Sequence, residues 1–382
     1  MTEQVKLLII GAGPYGLALA AYAKHHSIEY KVVGKPMDFW KSNMPQGMFL
    51  RSDKDWHIDP LNIHTLESYL LRNGLHYGSD VPIPRDVFLD YCAWFQKEKG
   101  IQVDPLFVSA INRVPRGFKT LFHNGEEVLS EHVVVATGFG YFKNIPEEYS
   151  EKLPPGRFSH TCDAIEFESL RDKSCLIIGG RQSAFEWATL LVEAGATRVH
   201  VSHRHDTPQF TESDWSWVRP LVDATFADPG WFRRLSAEEK NGIFRHFWEE
   251  GRLKLEPWLT PRLNLDVVKV WPNSRVESCT ELPNEELEVV LDNGAKLVAN
   301  HVFLGTGYKV QVSRIPFLSA GNILDELAIQ DGFPVLDEHF QSNIKGLFFT
   351  SLPATQDFGP FFGFVIGAPA SARVIGSFIS KA

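Results

Sequence analysis

The sequence predicts an α/β fold made of two related strand–helix–strand units. In each unit a glycine-rich turn lies between a buried strand and a helix. An Asn-Gly turn, typical of a small antiparallel meander, and a strand that ends in Thr-Gly then follow in the same order. The counterparts lie 168 or 169 residues apart: Gly11 and Gly179, Asn124 and Asn293, and Thr137 and Thr306. Three matched offsets in one order indicate an internal duplication.

Length and composition are those of a globular chain. At roughly 150 residues per domain, 382 residues predict two or three domains. A hydrophobic content of 44% with 22% charged residues excludes disorder and coiled coil. A net charge of −9 without a basic cluster argues against nucleic-acid binding. Because no apolar stretch reaches about 18 residues, we predict no membrane span.

Cysteine usage predicts a reducing, cytoplasmic location. The four cysteines include no C-x-x-C pair, which excludes a disulfide framework, a cysteine-rich zinc site and a thioredoxin-type pair. The apolar residues 7–23 could be interpreted as a secretory signal. The glycines within that stretch, and Glu3 ahead of it, favour a strand and a helix instead.

The first unit begins with a predicted dinucleotide-binding turn. The segment Gly11-Ala-Gly-Pro-Tyr-Gly16 separates a strand from an alanine-rich helix that runs to about His26. The first glycine permits the tight turn, the second lets a pyrophosphate approach and the third lets helix and strand pack closely. After the second strand, Gly34 and Lys35 stand where an acidic residue usually holds the ribose. Lys35 or backbone groups are the expected substitutes.

The second unit repeats this pattern in Gly179-Gly-Arg-Gln-Ser-Ala184, with a helix predicted over residues 185–194. Arg181 replaces the middle glycine, so it either pairs with pyrophosphate or crowds the turn. After the next strand, Ser202, His203 and Arg204 offer donors that suit a 2′-phosphate and therefore favour NADPH. His203 and His205 lack a third ligand at suitable spacing, so no metal site is predicted.

Two Rossmann-like units closed by Ala136-Thr-Gly138 and Gly305-Thr-Gly-Tyr308 resemble the flavoproteins of the glutathione-reductase type. More closely, the chain resembles the class B flavin monooxygenases, which include N-hydroxylases and Baeyer–Villiger enzymes. The resemblance implies FAD in the first unit and NADPH in the second. It implies an FAD domain over residues 1–150, an NADPH domain over 151–300 with a tryptophan-rich insertion at about 203–270, and a return segment over 301–382 that completes the FAD domain.

Several motifs carry this resemblance. Leu304-Gly-Thr-Gly-Tyr308 is similar to a motif of N-hydroxylating monooxygenases. Gly156 and His160 match the core of a longer fingerprint, although His160 could equally be a hydrogen-bonding linker residue. Arg51-Ser52-Asp53 resembles the Arg-Cys-Asp of Baeyer–Villiger enzymes, which implies Asp53 and Arg51 as catalytic groups. A surface salt bridge is the alternative for that segment.

Further flavin-side contacts are implied by residues 44–50 and by the Phe-Gly-Pro at 358–360. In full, the implied cofactor contacts are Gly11, Gly13, Pro14, Tyr15, Gly16, Lys35, Trp40, Met48, Leu50, Arg51, Ser52, Ala136, Thr137, Gly138, Gly179, Gly180, Arg181, Gln182, Ser183, Ala184, Ser202, His203, Arg204, Gly307, Tyr308, Gly359 and Pro360.

The function implied is an FAD- and NADPH-dependent monooxygenase that transfers oxygen from O₂ to a small molecule through a C4a-(hydro)peroxyflavin. N-hydroxylation or a related hydroxylation is favoured, and Baeyer–Villiger chemistry stays open. Two alternatives are a reductase without oxygen transfer and a non-catalytic nucleotide sensor. The identity of the substrate is left open, and so is whether the protein forms a homodimer. Six of the ten tryptophans fall in or just after the insertion and form either a substrate wall or a subdomain core.

Overall fold

The computed structural model describes residues 3–77, 81–263 and 266–381. The strands are β1 (Glu3–Ile10), β2 (Tyr30–Val33), β3 (Val108–Val114), β4 (Gly117–Phe122), β5 (Glu127–Val135), β6 (Phe158–His160), β7 (Ser174–Ile178), β8 (Arg198–Ser202), β9 (Gln209–Phe210), β10 (Lys254–Leu255), β11 (Val268–Trp271), β12 (Val276–Glu281), β13 (Leu287–Leu291), β14 (Lys296–Ala299), β15 (His301–Leu304), β16 (Ile329–Gln330), β17 (Phe333–Pro334) and β18 (Leu347–Phe349).

The α-helices are α1 (Pro14–His25), α2 (Asp38–Ser42), α3 (Leu66–Arg72), α4 (Arg85–Glu98), α5 (Glu147–Lys152), α6 (Gln182–Glu193), α7 (Val218–Ala227), α8 (Trp231–Arg234), α9 (Ala237–Arg252), α10 (Pro316–Ser319), α11 (Thr355–Phe358) and α12 (Gly367–Lys381). In residues 3–77, 81–263 and 266–381, every helix is too short or too polar to cross a membrane.

The first sheet joins a parallel core to an antiparallel meander. Its strand order is β2-β1-β5-β4-β3, and β18 also pairs with β5. Strand β5 changes partners along one edge: residues 127–130 pair with β4, and residues 133–135 pair in parallel with β18. The predicted Asn-Gly turn connects β4 and β5. Strand β18 pairs with β5, and helix α12 packs on α1. The end of the chain therefore completes the first unit.

The second sheet is fully parallel, with the order β11-β8-β7-β15-β6. The meander β12-β13-β14 forms a separate antiparallel sheet. Strand β15, which was expected to open the return segment at residue 301, pairs here with β6 and β7. We therefore propose that the return to the first unit begins after Leu304.

Helix limits follow from local capping. Helix α9 begins after Ser236, whose side chain and that of Glu239 form the predicted capping box. Helix α6 begins at Gln182, earlier than the predicted residue 185, because Arg181 in extended conformation is already its N-cap. A single 3₁₀ turn, Pro360–Gly363, precedes α12.

Candidate active site

One continuous cleft of about 1380 Å³ connects the two glycine-rich turns. It is lined by both turns, by both Thr-Gly strand ends, by α9 and by the segment after Pro360. In a doubly wound fold, ligands bind outside the carboxyl ends of the parallel strands. The duplicated motifs therefore converge on one site.

The three glycines of the first turn have different roles. A Cβ added at Gly11, where φ is +111°, would collide with the Ala136 carbonyl, and one at Gly16 would collide with the Gly11 carbonyl. A Cβ at Gly13 would have nothing within 4 Å. Gly13 is the N-cap of α1, so a helix N-terminus lies open to the cleft, as a pyrophosphate requires.

At the end of β2 the cleft is lined by Gly34, Lys35 and Asp38. The sequence does not show an acidic residue directly after this strand, but Asp38 is the first acidic residue beyond it. Helix α2 begins at Asp38, so the first acidic residue after β2 belongs to the cleft lining. Sequence reasoning missed Asp38 because the acid is displaced by four residues.

The second turn is equally tight. A Cβ added at Gly179 would collide with the Gly305 carbonyl, and one added at Gly180 would collide with the His203 ring. Arg181, the N-cap of α6, occupies the position that Gly13 has at α1. Its Nη1 donates to the Arg252 carbonyl at 2.8 Å, and its guanidinium carbon lies 5.3 Å from the centre of the Trp248 ring. The side chain therefore leaves the turn and contacts the insertion.

Three arginines, Arg181, Arg204 and Arg252, line this end of the cleft. Partial burial, and then the positive charge of Arg204, lower the pKa of Arg181. His203 is buried, and its Nδ1 lies 2.8 Å from the His205 carbonyl. Because burial lowers the pKa of His203, the positive charge after β8 comes from Arg204 at neutral pH.

The expected catalytic pair is not brought together. Arg51 is bound to the insertion: Nε donates to Glu256 Oε1 at 2.7 Å, Nη1 to the Gly251 carbonyl at 2.6 Å and Nη2 to Ser213 Oγ at 2.8 Å. Asp53 is exposed, is not part of the cleft lining, and accepts a hydrogen bond from the Lys54 N–H. We call residues 44–50, for which the family resemblance implies contact with the flavin, the flavin-side loop. Arg51, which follows it, links this loop to the insertion.

His160 connects β6 to the Gly-Thr-Gly-Tyr strand end. Its Nε2 lies 3.0 Å from the Gly307 carbonyl, and its Nδ1 lies 3.0 Å from Cys162 Sγ. Donation from Nε2 to the carbonyl leaves Nδ1 to accept from the Cys162 thiol and N–H. Burial raises the pKa of Cys162 to about 11, so the thiol keeps its proton at pH 7. This geometry matches the linker interpretation of His160.

Most of the other predicted contacts line the cleft. Outside its lining are Gly16 and Gly359, which make close internal contacts, and Asp53. Of the six insertion tryptophans, Trp215 and Trp248 line the cleft, whereas Trp217, Trp231, Trp258 and Trp271 are not part of its lining. Within the described part of the chain no cluster of His, Cys, Asp and Glu could hold a metal ion.

Glu186 is a cleft residue that sequence reasoning missed. It lies on α6, is only 3% exposed, and its Oε1 accepts from the Phe49 N–H at 3.5 Å. Burial raises its pKa to about 8, against the opposing effects of the Phe49 N–H and of the positive charges of Arg51 and Arg262. At pH 7 the carboxyl is therefore mostly protonated. Nothing in the sequence marks this burial except the apolar residues around it.

Glu186 predicts a pH-dependent stability. Its pKa in the folded protein is raised from 4.5 to about 8, so the carboxyl favours folding below pH 4.5 and this contribution is lost as the pH rises to about 8. The Glu186→Gln variant should lack this loss, which amounts to a few kcal/mol. Denaturant unfolding across that pH range measures the difference between variant and parent.

The matched control is Glu238→Gln, which changes an exposed carboxyl on α9. It should keep the pH profile of the parent protein. If the free energy of unfolding of Glu186→Gln depended on pH as that of the parent does, the claim that Glu186 is buried in its neutral form would be refuted.

Residues 8–230, more than half of the chain, match the family model described as pyridine nucleotide-disulphide oxidoreductase. The chain belongs to this family. The expected α/β fold, the flavoprotein resemblance and the oxidoreductase class are thereby confirmed.

The proteins similar to this chain include oxygen-transferring enzymes and disulfide reductases. The trimethylamine monooxygenase of Pelagibacter sp. (strain HTCC7211) is 26% identical over 249 residues, which cover 58% of this chain and 55% of that protein. The ornithine N-hydroxylase of Kutzneria sp. 744 has a TM-score of 0.81 at 14% identity over 99% of both chains. The bacillithiol disulfide reductase of Staphylococcus aureus has a TM-score of 0.67 at 18% identity over 100% of this chain and 99% of that chain. At these identities the two structural likenesses concern the fold.

Proposed function

We propose that this protein is a monooxygenase that uses FAD and NADPH to transfer oxygen to a small molecule, with N-hydroxylation or a related hydroxylation favoured. The observation that carries the proposal is the single cleft that joins both dinucleotide-binding turns. Two dinucleotides bound at these turns would extend towards one another within it. The relatives that are named monooxygenases and N-hydroxylases support the same activity.

The cofactors are FAD and NADP(H), and the Kutzneria N-hydroxylase structure contains reduced FAD together with NADP⁺. The residues of the first turn fit FAD. Gly13 leaves a space that a Cβ would fill, and the buried Thr137 Oγ1 has no hydrogen-bond partner among the described residues. Asp38 would accept from the ribose hydroxyls. Together these groups would hold the pyrophosphate and the ribose of FAD.

The residues of the second turn fit NADPH. Arg204 would bind the 2′-phosphate, and Arg181 with Arg252 would neutralise the pyrophosphate. Within the described part of the chain the buried amide nitrogen Nε2 of Gln182, a cleft-lining residue, has no hydrogen-bond partner, so it could donate to the nucleotide. We propose NADPH rather than NADH because positive charge, not a carboxylate, follows β8.

Bound FAD would supply the redox chemistry, because it can accept a hydride from NADPH and then react with O₂. One oxygen atom goes to the substrate and the other leaves as water. The protein must exclude water from this region. The rings of Phe39, Phe139 and Tyr308 do so by packing on one another along the cleft, with centroids 4.9 to 6.1 Å apart.

We predict oxygen transfer coupled to NADPH oxidation. The holoenzyme is reduced with NADPH without oxygen and then mixed with O₂, while the flavin spectrum, H₂O₂ and the oxygenated product are followed. A transient flavin species that NADP⁺ prolongs, with little H₂O₂ and one product per NADPH when substrate is present, is the expected result.

Two outcomes would refute oxygen transfer. Stoichiometric H₂O₂ with every amine, sulfide, ketone and heterocycle tested would favour a reductase without oxygen transfer. A colourless protein that binds NADPH but neither carries FAD nor oxidises NADPH would favour a nucleotide sensor without catalysis.

A further inference from the structure

Four aromatic rings that line the cleft contact one another, and we name them the aromatic box: Trp56, Trp215, Phe247 and Phe364. The ring centroids are 5.9 Å apart for Trp56 and Trp215, 5.3 Å for Trp215 and Phe247, 5.2 Å for Phe247 and Phe364, and 6.4 Å for Trp56 and Phe364. Each ring therefore contacts two others, and all four line the cleft.

The box is assembled from three distant parts of the chain. Trp56 follows the flavin-side loop, Trp215 and Phe247 belong to the insertion, and Phe364 follows the 3₁₀ turn before α12. The Arg51 guanidinium lies 5.8 Å from the Trp215 ring and binds Glu256, so the network that joins the flavin-side loop to the insertion also fixes one side of the box. Its geometry therefore does not depend on a single loop.

Part of this apolar surface remains exposed. Trp56 and Phe247 are buried, but Phe364 is 37% exposed. Two neighbouring insertion residues that also line the cleft, Phe244 and Trp248, are 38% and 50% exposed. Large aromatic side chains that stay exposed within a cleft, rather than singly on an outer surface, mark a place where an apolar ligand can be buried.

Positively charged side chains outnumber acidic ones among the described residues that line the cleft. Among the described residues that line it, the positively charged ones are Lys35, Arg51, Arg85, Arg181, Arg204 and Arg252, and the acidic ones are Asp38, Glu148 and Glu186. Asp38 lies at the end of β2, and Glu148 lies on α5. Glu186 is mostly neutral at pH 7 because burial raises its pKa. None of the four box residues carries a charge, so the box itself offers an ammonium group no carboxylate partner.

We infer that the substrate is an uncharged aromatic or heteroaromatic molecule whose ring packs against the exposed side of the aromatic box. This inference rests on the proposed function and narrows its substrate class. It separates this protein from relatives named for trimethylamine or ornithine, since those amines are cations at neutral pH. A flat neutral ring gains burial and ring–ring contact without leaving a charge unpaired.

The test compares probes that differ in ring or charge. The neutral aromatic probes are thioanisole and N,N-dimethylaniline; dimethyl sulfide lacks the ring, and trimethylamine, ornithine and cadaverine are cationic. Binding to the holoenzyme with NADP⁺ is measured calorimetrically, without turnover. The aromatic probes should bind at least about tenfold more tightly than the other four. Tighter binding of the cations or of dimethyl sulfide would overturn the inference.

Phe364→Ala should weaken aromatic binding about tenfold, because it removes one wall of the box. The control Phe226→Ala truncates a phenylalanine that is 48% exposed and is not part of the cleft lining, and it should leave binding unchanged. Equal effects of both variants, or none from Phe364→Ala, would refute the box. If the aromatic probes bind as expected but no probe is oxygenated, the box is supported while the proposed monooxygenase function fails.

Discussion

Replacing Gly13 by valine should yield a folded protein that has lost FAD. The backbone at Gly13 is extended, with φ −82° and ψ −169°, which valine adopts without strain. Apart from its two chain neighbours, no atom of the described residues lies within 4 Å of a Cβ built there, so the fold should tolerate it. The same Cβ would fill the space in front of α1 that the pyrophosphate needs. The flavin absorbance of the purified variant and its far-UV circular dichroism measure both effects.

The control is Gly16→Ala, three residues further along the same turn. Its added Cβ would collide with the Gly11 carbonyl, so this smaller change should disrupt the fold itself. The contrast separates loss of ligand from loss of structure. A yellow, fully loaded Gly13→Val protein would refute the assignment of FAD to the first turn.

Replacing Arg204 by alanine should raise the KM for NADPH about ten- to hundredfold while leaving that for NADH nearly unchanged. A charge-assisted hydrogen bond to a phosphate is worth about 1.5–3 kcal/mol, and only NADPH carries the 2′-phosphate. Arg204 is exposed at the mouth of the cleft, so its removal should not disturb the fold. Steady-state kinetics with both nucleotides measure the change in selectivity.

Arg198→Ala is the matched control. Arg198 is an exposed arginine at the opposite end of β8, where its Nη1 donates to the Asp266 carbonyl, and it is not part of the cleft lining. Its loss should leave the preference for NADPH intact. Equal increases in the KM of both nucleotides in Arg204→Ala would move the 2′-phosphate site elsewhere.

The duplicated pattern predicted the fold because it depends on short segments. A strand, a glycine turn and a helix leave a local signature, and three matched offsets show that this signature occurs twice. Helix α9 could be predicted for the same reason, because its capping box is formed by residues within a four-residue segment. These elements need little information from distant parts of the chain.

The chemistry around Arg51 depends on distant residues and could not be predicted in this way. Its partners Ser213, Gly251 and Glu256 lie more than 160 residues away in the sequence. A three-residue match to a family motif contains no information about such contacts, nor about the exposure of Asp53. The neutral state of Glu186 has the same origin, since burial by the whole fold sets it.

Strand β18 and helix α12 complete the unit that β1 begins. A ribosome that makes this chain therefore releases every strand of the second sheet, up to β15, before it synthesises the last strand of the first sheet. During that interval residues 133–135 of β5 pair with β1 on one side but still lack β18 on the other, and α1 lacks the helix that later covers it. The unit that starts first in translation is thus the one that is finished last.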